Sequence, residues 1–337
     1  MVTAKVWQLL RRPTGEPTRE DFTCVEETLP PCADGDVLVV AESLSVDPYM
    51  RYLLRTIPLN TTVVGEQLAR VTESKNSEWP VGSYMLVSMG WRTHSHLTAA
   101  DLRDSTKNVQ RLPDFGKLPR STALGILGMP GNTAYLAFIE VMKPKVGETV
   151  LVNGAAGAVG SIVVQLAKLA GCKVVAFAGS EEKVEWLKEL GVDHAFNYKT
   201  VEVGDALAQA APEKINIYFD NVGGKFTSEA LPHMAEQGRV LVCGAISTYN
   251  TEDDIMDPGL NSPFSESLIL WKQLTIKGFV IYRWKHLWEK SSKQMRKWVE
   301  EGKLQYRESI VQGFSNMPYT FIGIFHGSRT GKVVIMP

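Results

Sequence analysis

Thr149-Val150-Leu151-Val152-Asn153-Gly154-Ala155-Ala156-Gly157-Ala158-Val159-Gly160 is the stretch that decides the fold. An apolar strand runs into a turn of small residues, and an amphipathic helix follows over Ser161–Leu169. This order lets a dinucleotide's pyrophosphate approach bare backbone at a helix N-terminus, where unpaired N–H groups and the helix dipole favour negative charge. The spacing is Ala155-x-Gly157-x-x-Gly160, with Ala in place of the first glycine of the usual fingerprint. Gly-rich turns also serve plain strand–helix packing. Here a second strand expected at Lys173–Ala178 supplies the βαβ context that favours the cofactor reading.

Working outward, strand and helix alternate from about Val150 to Val280. Expected strands are Thr149–Asn153, Lys173–Ala178, His194–Asn197, Ile215–Asp220, Arg239–Gly244 and Leu274–Ile281. Helical patterns at Ser161–Leu169, Glu181–Leu190 and Thr227–Met234 separate several of them, and Gly191 and Gly238 sit where helix stops belong. Six strands with crossovers predict an α/β, doubly wound parallel sheet of the Rossmann type. The first 120 residues differ. Thr3–Leu10, Val37–Glu42, Gln67–Glu73 and Tyr84–Met89 are short strands broken by turns such as Pro30-Pro31 and Pro80-Val81-Gly82. They predict an antiparallel, partly closed β-domain. A helix at about His286–Glu301 precedes the apolar run Lys332–Met336, a final strand suited to pairing with the N-terminal domain. The expected division is 1–123 with 304–337 as the catalytic and substrate β-domain, and 124–303 as the dinucleotide-binding domain.

Length and composition agree with two core-forming domains. The chain has 337 residues, 44% apolar and 22% charged, with a net charge of −1. Lacking a basic block, it offers nucleic acid or an anionic membrane no electrostatic footprint. Its four cysteines, Cys24, Cys32, Cys172 and Cys243, form no C-x-x-C pair. Free thiols in a reducing compartment fit them better than a Cys24–Cys32 bridge. No apolar run approaches membrane-spanning length, and no secretory h-region precedes the first strand. A soluble cytoplasmic protein is expected.

The cofactor's identity is read further along. Sites that select NAD place a carboxylate about 20 residues past the turn. Gly179-Ser180 stands there instead, followed by Lys183, with Tyr198-Lys199 ending the next strand. A small uncharged pocket edged by lysine suits a 2′-phosphate, so NADP(H) is expected; Glu181 and Glu182 could weaken such a site. Asp220-Asn221-Val222-Gly223-Gly224 and Cys243-Gly244-Ala245-Ile246-Ser247-Thr248-Tyr249 close the fourth and fifth strands, at the ends where ligands lie. Asn221 is either a cofactor contact or an ordinary turn residue, and Tyr249 either a donor or packing.

This layout resembles the medium-chain dehydrogenase/reductase superfamily over the whole chain. Zinc alcohol dehydrogenases of that superfamily carry a catalytic Cys, a Gly-His-Glu motif and a four-Cys loop. The matching stretches here look like Ser43-Leu44-Ser45-Val46-Asp47 and Gly65-Glu66-Gln67, and His94-x-His96 is the only close His pair. No zinc ligand set can be assembled from these, so no metal is expected. Five further motifs resemble the zinc-free alkenal/one oxidoreductase group: Val46-Asp47-Pro48-Tyr49-Met50-Arg51, Gly128-Met129-Pro130-Gly131-Asn132-Thr133-Ala134-Tyr135, Asn221-Val222-Gly223-Gly224, Cys243–Tyr249 and Phe279-Val280-Ile281-Tyr282-Arg283-Trp284.

The resemblance implies a GroES-like N-terminal domain. It also implies NADP(H) contacts from Gly157, Ala158, Val159, Gly160, Lys183, Tyr198, Asn221, Cys243, Gly244, Ala245, Ile246, Ser247, Thr248 and Tyr249, with Phe279, Val280 and Ile281 as the nicotinamide-side wall. Arg329 stands where the group often has Asn. The implied reaction is reduction of the C=C bond of α,β-unsaturated ketones and aldehydes, of the 15-oxo-prostaglandin or 2-alkenal type. In reverse, it is oxidation of the leukotriene B4 12-hydroxyl. Conjugation makes the β-carbon electrophilic without a metal, leaving orientation and hydrogen bonds to the enolate oxygen to the protein. Tyr249 is the expected donor. Tyr49, Arg51, Met129 and Tyr282 are the expected substrate wall for lipid enones, with Arg51 or Arg283 steering a carboxylate. Met129 as core filler and Arg51 in a surface ion pair are the bland alternatives. A quinone reductase and a non-catalytic, crystallin-type NADPH-binding protein are the competing functions. The edge at Leu274–Ile281 predicts a homodimer.

Overall fold

The computed structural model describes residues 1–113, 115–251 and 262–337. The chain divides into two compact units, residues 1–124 with 308–329 and 333–337, and residues 125–307 with 330–332.

The first unit opens with β1 (Thr3–Leu9) and β2 (Phe22–Thr28), an antiparallel pair with Val6 opposite Val25. There follow β3 (Val37–Ser45), the single helical turn α1 (Met50–Leu53), β4 (Gln67–Ser74), β5 (Tyr84–Val87), β6 (His94–Leu97) and β7 (Gln110–Arg111). The Pro80–Gly82 turn joins β4 to β5, and Gly82 adopts φ +89°, a left-handed geometry that glycine takes without strain.

The second unit holds α2 (Met129–Tyr135), β8 (Thr149–Val152), α3 (Gly160–Leu169), β9 (Lys173–Ala178), α4 (Glu181–Glu189), β10 (His194–Asn197), α5 (Val203–Ala210) and β11 (Ile215–Asp220). It continues through α6 (Gly224–Ala230), β12 (Met234–Val242), α7 (Glu266–Lys272), β13 (Thr275–Gly278) and α8 (Trp288–Glu300). Its six strands are all parallel in the order β10-β9-β8-β11-β12-β13. Strand order reverses between β8 and β11, the place where open α/β sheets bind ligands. Runs such as Val150–Val152 and Val174–Ala178 are buried throughout, because helices cover both faces of a parallel sheet.

The chain ends with β14 (Glu308–Gln312), α9 (Met317–Phe325) and β15 (Lys332–Met336). As expected, β15 pairs back with the N-terminal region, setting Val334 opposite Ser45 and Ile335 opposite Leu44 on β3. The sheet order is β14-β15-β3-β4-β5-β7, with β6 pairing β3. Phe321 of α9 meets Phe22 and Trp91 edge-on, at 6.2 and 5.6 Å between ring centres. Three fully enclosed rings of this size contribute roughly 2–3 kcal/mol each.

Several expected boundaries move. The helix placed at Thr227–Met234 is α6, which begins at Gly224; Pro232 then lies in a 3₁₀ turn, and Met234 already starts β12. Gly191 does end α4, at φ +81° with its N–H on Lys188 O. Gly238 does not stop a helix. It lies inside β12 where the register with β11 slips, and Gln237 (φ +57°) takes the left-handed position. A Cβ on Gly238 would come within 2.8 Å of Met234 Cε, so close packing rather than a helix end calls for glycine. Only Thr275–Gly278 of the last expected strand joins the ladder, and Ile281 opens a 3₁₀ segment. Helices α5 and α9 carry no motif that marked them in the sequence.

Candidate active site in the second unit

The glycine turn is built from three glycines with three different duties. Gly154, at φ +54°, makes the tight reversal after β8, the duty that the fingerprint spacing assigns to Ala155. Gly157 is half-exposed together with Ala158 and Val159, leaving bare backbone accessible ahead of α3. Gly160 begins α3, and a Cβ there would lie 2.4 Å from Gly154 O and 2.7 Å from Ala155 Cα. Nothing larger than hydrogen fits, so the helix seats directly on the turn. The first turn is tied into the glycine loop, Ser161 N–H to Gly157 O and Ile162 and Val163 N–H to Val159 O, all at 3.1 Å, so what this helix end offers an anion is the positive end of its dipole beside accessible backbone. Gly331 bridges to Gly157 and donates its N–H to Ala156 O at 2.9 Å. Sequence spacing missed Gly154; the Asn-Gly dipeptide was the signal that could have found it.

Directly below, at the reversal of strand order, lies a buried polar network absent from the expected site. The Asp220 carboxylate is 1% exposed. It accepts from Asn153 Nδ2 (2.7 Å), Val222 N (2.9 Å), Gly223 N (2.8 Å) and Thr227 Oγ1 (2.6 Å). Asn153 also donates to Tyr218 Oη at 2.6 Å, and burial drives the Tyr218 phenol well above its ordinary range. Asn153 further clamps Asn221 by accepting its backbone N–H (2.6 Å) and its side-chain Nδ2 (2.8 Å). One Nδ2–H of Asn221 is therefore committed to the protein, which fixes the orientation in which its amide oxygen and second N–H could meet a ribose hydroxyl.

The same strand end carries the Cys243–Tyr249 loop. Cys243 N and Gly244 N donate to Asp220 O, Ile246 N to Asn221 O, and Ser247 donates through both N and Oγ to Val222 O. These rungs fix a loop that has little regular structure of its own. Tyr249 folds back so that its hydroxyl accepts Ala245 N–H at 3.2 Å. Burial raises its pKa, so the phenol is a proton-bearing donor at neutral pH. Burial, with the Asp220 charge adding to it, pushes the Cys243 thiol up to about 12, which makes it a packing residue rather than a nucleophile.

The niche expected for a 2′-phosphate forms beyond β9. Ser180 caps α4 by accepting Lys183 N–H. Tyr198 lies across Gly179, where a Cβ would come 3.1 Å from its ring. Burial, and then the charge of Lys199, lower the Lys183 pKa. Two lysines repelling one another beside a glycine suit a dianion, although the Glu182 carboxylate acts on Lys183 in the opposite sense. Lys199 was not among the expected site residues. Of the acids that could weaken the niche, Glu181 is turned onto Asn197 Nδ2 at 2.7 Å.

At the sheet edge Phe279 and Ile281 are buried while Val280 and Tyr282 are 57% and 47% exposed, so the expected nicotinamide wall alternates. Met129 opens α2 half-buried, with Thr133 Oγ1 3.6 Å from its sulfur. In the first unit, Tyr49 packs half-buried against the core. Arg51 is 1% exposed, so it is not a surface residue, and it donates through Nη2 to Gly15 O at 2.8 Å. Arg329 is exposed next to the Thr330–Lys332 segment. Among the described residues no three His, Cys, Asp or Glu side chains gather so as to hold a metal ion.

Comparison with known proteins agrees with this architecture. The family described as "Zinc-binding dehydrogenase" matches residues 158–300, and "N-terminal domain of oxidoreductase" matches residues 5–104. Prostaglandin reductase 1 of Bos taurus is 48% identical over 337 residues, covering 99% of both chains. A 2-alkenal reductase (NADP(+)-dependent) of Nicotiana tabacum is 37% identical over 96% of this chain and 94% of its own. Among solved structures, CurA from Vibrio vulnificus in complex with NADPH superposes with a TM-score of 0.89 at 34% identity, over 98% of each chain. The chain therefore belongs to the zinc-independent branch of the medium-chain dehydrogenase/reductase superfamily, in the group of the prostaglandin and alkenal reductases.

Proposed function

We propose that this protein is an NADPH-dependent reductase of the C=C bond in α,β-unsaturated ketones and aldehydes. The observation that carries the reading is the pairing of a lysine niche at Gly179 with a rigidly held Tyr249 loop, both at strand ends of one sheet. NADPH would supply a hydride to the β-carbon. Gly157–Gly160 would hold the pyrophosphate, Lys183 and Tyr198 the 2′-phosphate, and Asn221, the 243–249 loop and Phe279–Ile281 the remainder of the cofactor. Arg329 is an outlying candidate for the same task.

The chain's own contribution is orientation and charge stabilisation. Negative charge moves onto the substrate oxygen as the β-carbon accepts hydride, and a hydroxyl donor aimed there lowers the barrier. Tyr249, proton-bearing and held against Ala245 N–H, has the chemistry for that task, directly or through a ribose hydroxyl. Water can then protonate the α-carbon. Met129 and Tyr282 offer an adaptable apolar wall, and Tyr49 is the candidate from the first unit.

Reduction of 15-oxo-prostaglandin-type and 2-alkenal-type enones is the proposed activity, with leukotriene B4 12-hydroxyl oxidation as the reverse reaction of the same site. Cytoplasmic residence suits the buried free thiols Cys32 and Cys172, and no helix among the described residues is long and apolar enough to cross a membrane. A homodimer is proposed through β13, the end strand of its sheet among the described residues; Leu270 and Trp271, shortly before it in the chain, are 70% and 80% exposed. Light scattering at micromolar concentration tests it, and a monomeric mass refutes it.

The deciding assay follows NADPH absorbance with a medium-chain enone and with a simple quinone. Fast loss with the enone alone supports the proposal. Preference for the quinone would make the chain a quinone reductase, and no loss with either would leave a binding protein.

A further inference from the structure

The chain leaves the second unit after Arg307 and rejoins it over 330–332. The two stretches meet beside the glycine turn. Gly331 bridges Gly157 in parallel and donates its N–H to Ala156 O at 2.9 Å. Gly157 N–H donates to Gly154 O at 3.1 Å, so the peptide joining Ala156 to Gly157 is held at both its oxygen and its hydrogen. Position 331 admits only glycine. Its φ is +68°, and a Cβ there would run into Arg307 O and lie 2.8 Å from Arg307 C. Lys332 N–H donates to the same Arg307 O at 2.9 Å, which seats the returning stretch on the departing one.

The departing stretch is fastened in turn to the helix that follows the glycine turn. Gln165 of α3, 5% exposed, grips the Gln305 backbone at two points: its Nε2 donates to Gln305 O (2.9 Å) and its Oε1 accepts Gln305 N–H (2.7 Å). The same Nε2 donates to Ser161 O at 2.7 Å, in the first turn of α3. Arg307 also lies 4.8 Å over the Trp186 ring and pairs with Glu189 at 2.9 Å, but that ion pair is exposed and contributes little. Backbone contacts and Gln165 therefore carry the fastening. We propose that these two stretches clamp the glycine turn in the geometry that takes the cofactor's pyrophosphate, with Gly331 and Gln165 as positioning residues that act through the turn. Gly157 N–H is spent on Gly154, and those of Ser161, Ile162 and Val163 on Gly157 and Val159, so Ala158, Val159 and Gly160 are left to turn their N–H groups to a phosphate. Released from Gly331, the Ala156 carbonyl could swing toward that phosphate and repel it. The inference rests on the dinucleotide site of the function proposed above, and not on which substrate is reduced there.

The test titrates three ligands by fluorescence or calorimetry: NADPH, NADH and adenosine 2′-monophosphate, which has no pyrophosphate. Loss of a charge-assisted contact to a phosphate changes affinity by about 10- to 100-fold. Gly331→Ala should raise the Kd of NADPH and of NADH by that factor, the same for both, while adenosine 2′-monophosphate binds as it does to the wild type. Gln165→Met keeps the length of the side chain and removes its hydrogen bonds to Ser161 and Gln305. It should show the same pattern at about 2- to 10-fold, and it decides the matter if the alanine variant fails to fold. A merely structural role would lower Tm and leave the three Kd values unchanged below the transition, or weaken all three ligands together. Either result overturns the proposal, and so does weakening of NADPH alone. A wild-type chain that binds neither dinucleotide refutes the cofactor site itself, and the clamp with it. A chain that binds NADPH and reduces no enone refutes only the reductase reading, and these titrations still judge the clamp.

Discussion

Replacing Asp220 with alanine removes the acceptor of four donors at a point 1% exposed to solvent. The Thr227 hydroxyl can turn toward Tyr218 Oη, 3.0 Å away, and recover a partner. Asn153 Nδ2 keeps its bond to Tyr218 Oη but loses the acceptor of its other N–H, and the N–H groups of Val222 and Gly223 lose theirs, because strand ends and turn fix their directions. Each buried donor left without an acceptor costs about 1–3 kcal/mol, so the loss is roughly 3–9 kcal/mol, with about 4 expected after local relaxation. For a unit of this size that lowers Tm by roughly 8–16 °C. Asp220→Asn keeps an oxygen for the three fixed donors and should cost only about 1–2 kcal/mol. The carbonyls of residues 220–222 also carry the 243–247 loop, so the alanine variant should bind NADPH more weakly at a temperature where it is still folded. Thermal unfolding by circular dichroism and NADPH titration by fluorescence read the two effects. An alanine variant within about 1 kcal/mol of wild type, or one equal to the asparagine variant, would refute the reasoning.

Tyr249→Phe should lower kcat by about 10²- to 10³-fold while leaving NADPH affinity nearly intact; an unchanged rate removes Tyr249 from the mechanism. Lys183→Ala should raise the Kd of NADPH by about 10- to 100-fold and leave that of NADH almost unmoved, as measured by titration; equal effects on both would place Lys183 outside the phosphate niche. Raising the pH through the lowered Lys183 pKa should erode the same discrimination, because the ammonium charge disappears. Burial holds the Cys172 thiol at about 11 and Cys243 at about 12, so both should resist iodoacetamide at pH 8 while exposed Cys24 is alkylated first, read by peptide mass mapping. The unfolded chain ionises those two thiols more easily, so stability should fall as pH climbs from the ordinary thiol range toward 11 and 12.

The parallel sheet was legible in the residues themselves. Runs of mainly apolar residues bounded by small or polar ones gave Lys173–Ala178 and Ile215–Asp220 with their ends correct, because a strand buried on both faces must be largely apolar. The glycine turn was legible for a similar reason: backbone approach and close helix seating impose residue size locally. Gly238 reads identically to a helix stop, and only the slipped register between β11 and β12 shows that it serves packing. Arg51 reads as a surface cation, and only folding encloses it against the Gly15 carbonyl.

What the sequence determined alone was therefore whatever depends on neighbours along the chain: strand and helix periods, the turn that takes a dinucleotide, and the lack of a carboxylate at Gly179. Tertiary structure decided what depends on groups far apart in sequence. The Asp220 carboxylate gathers Asn153 from 67 positions away, and Ser247 reaches Val222 across 25. Hydrogen bonds and burial are properties of distance in space, and no local pattern of residue types records which distant donor a buried carboxylate will meet.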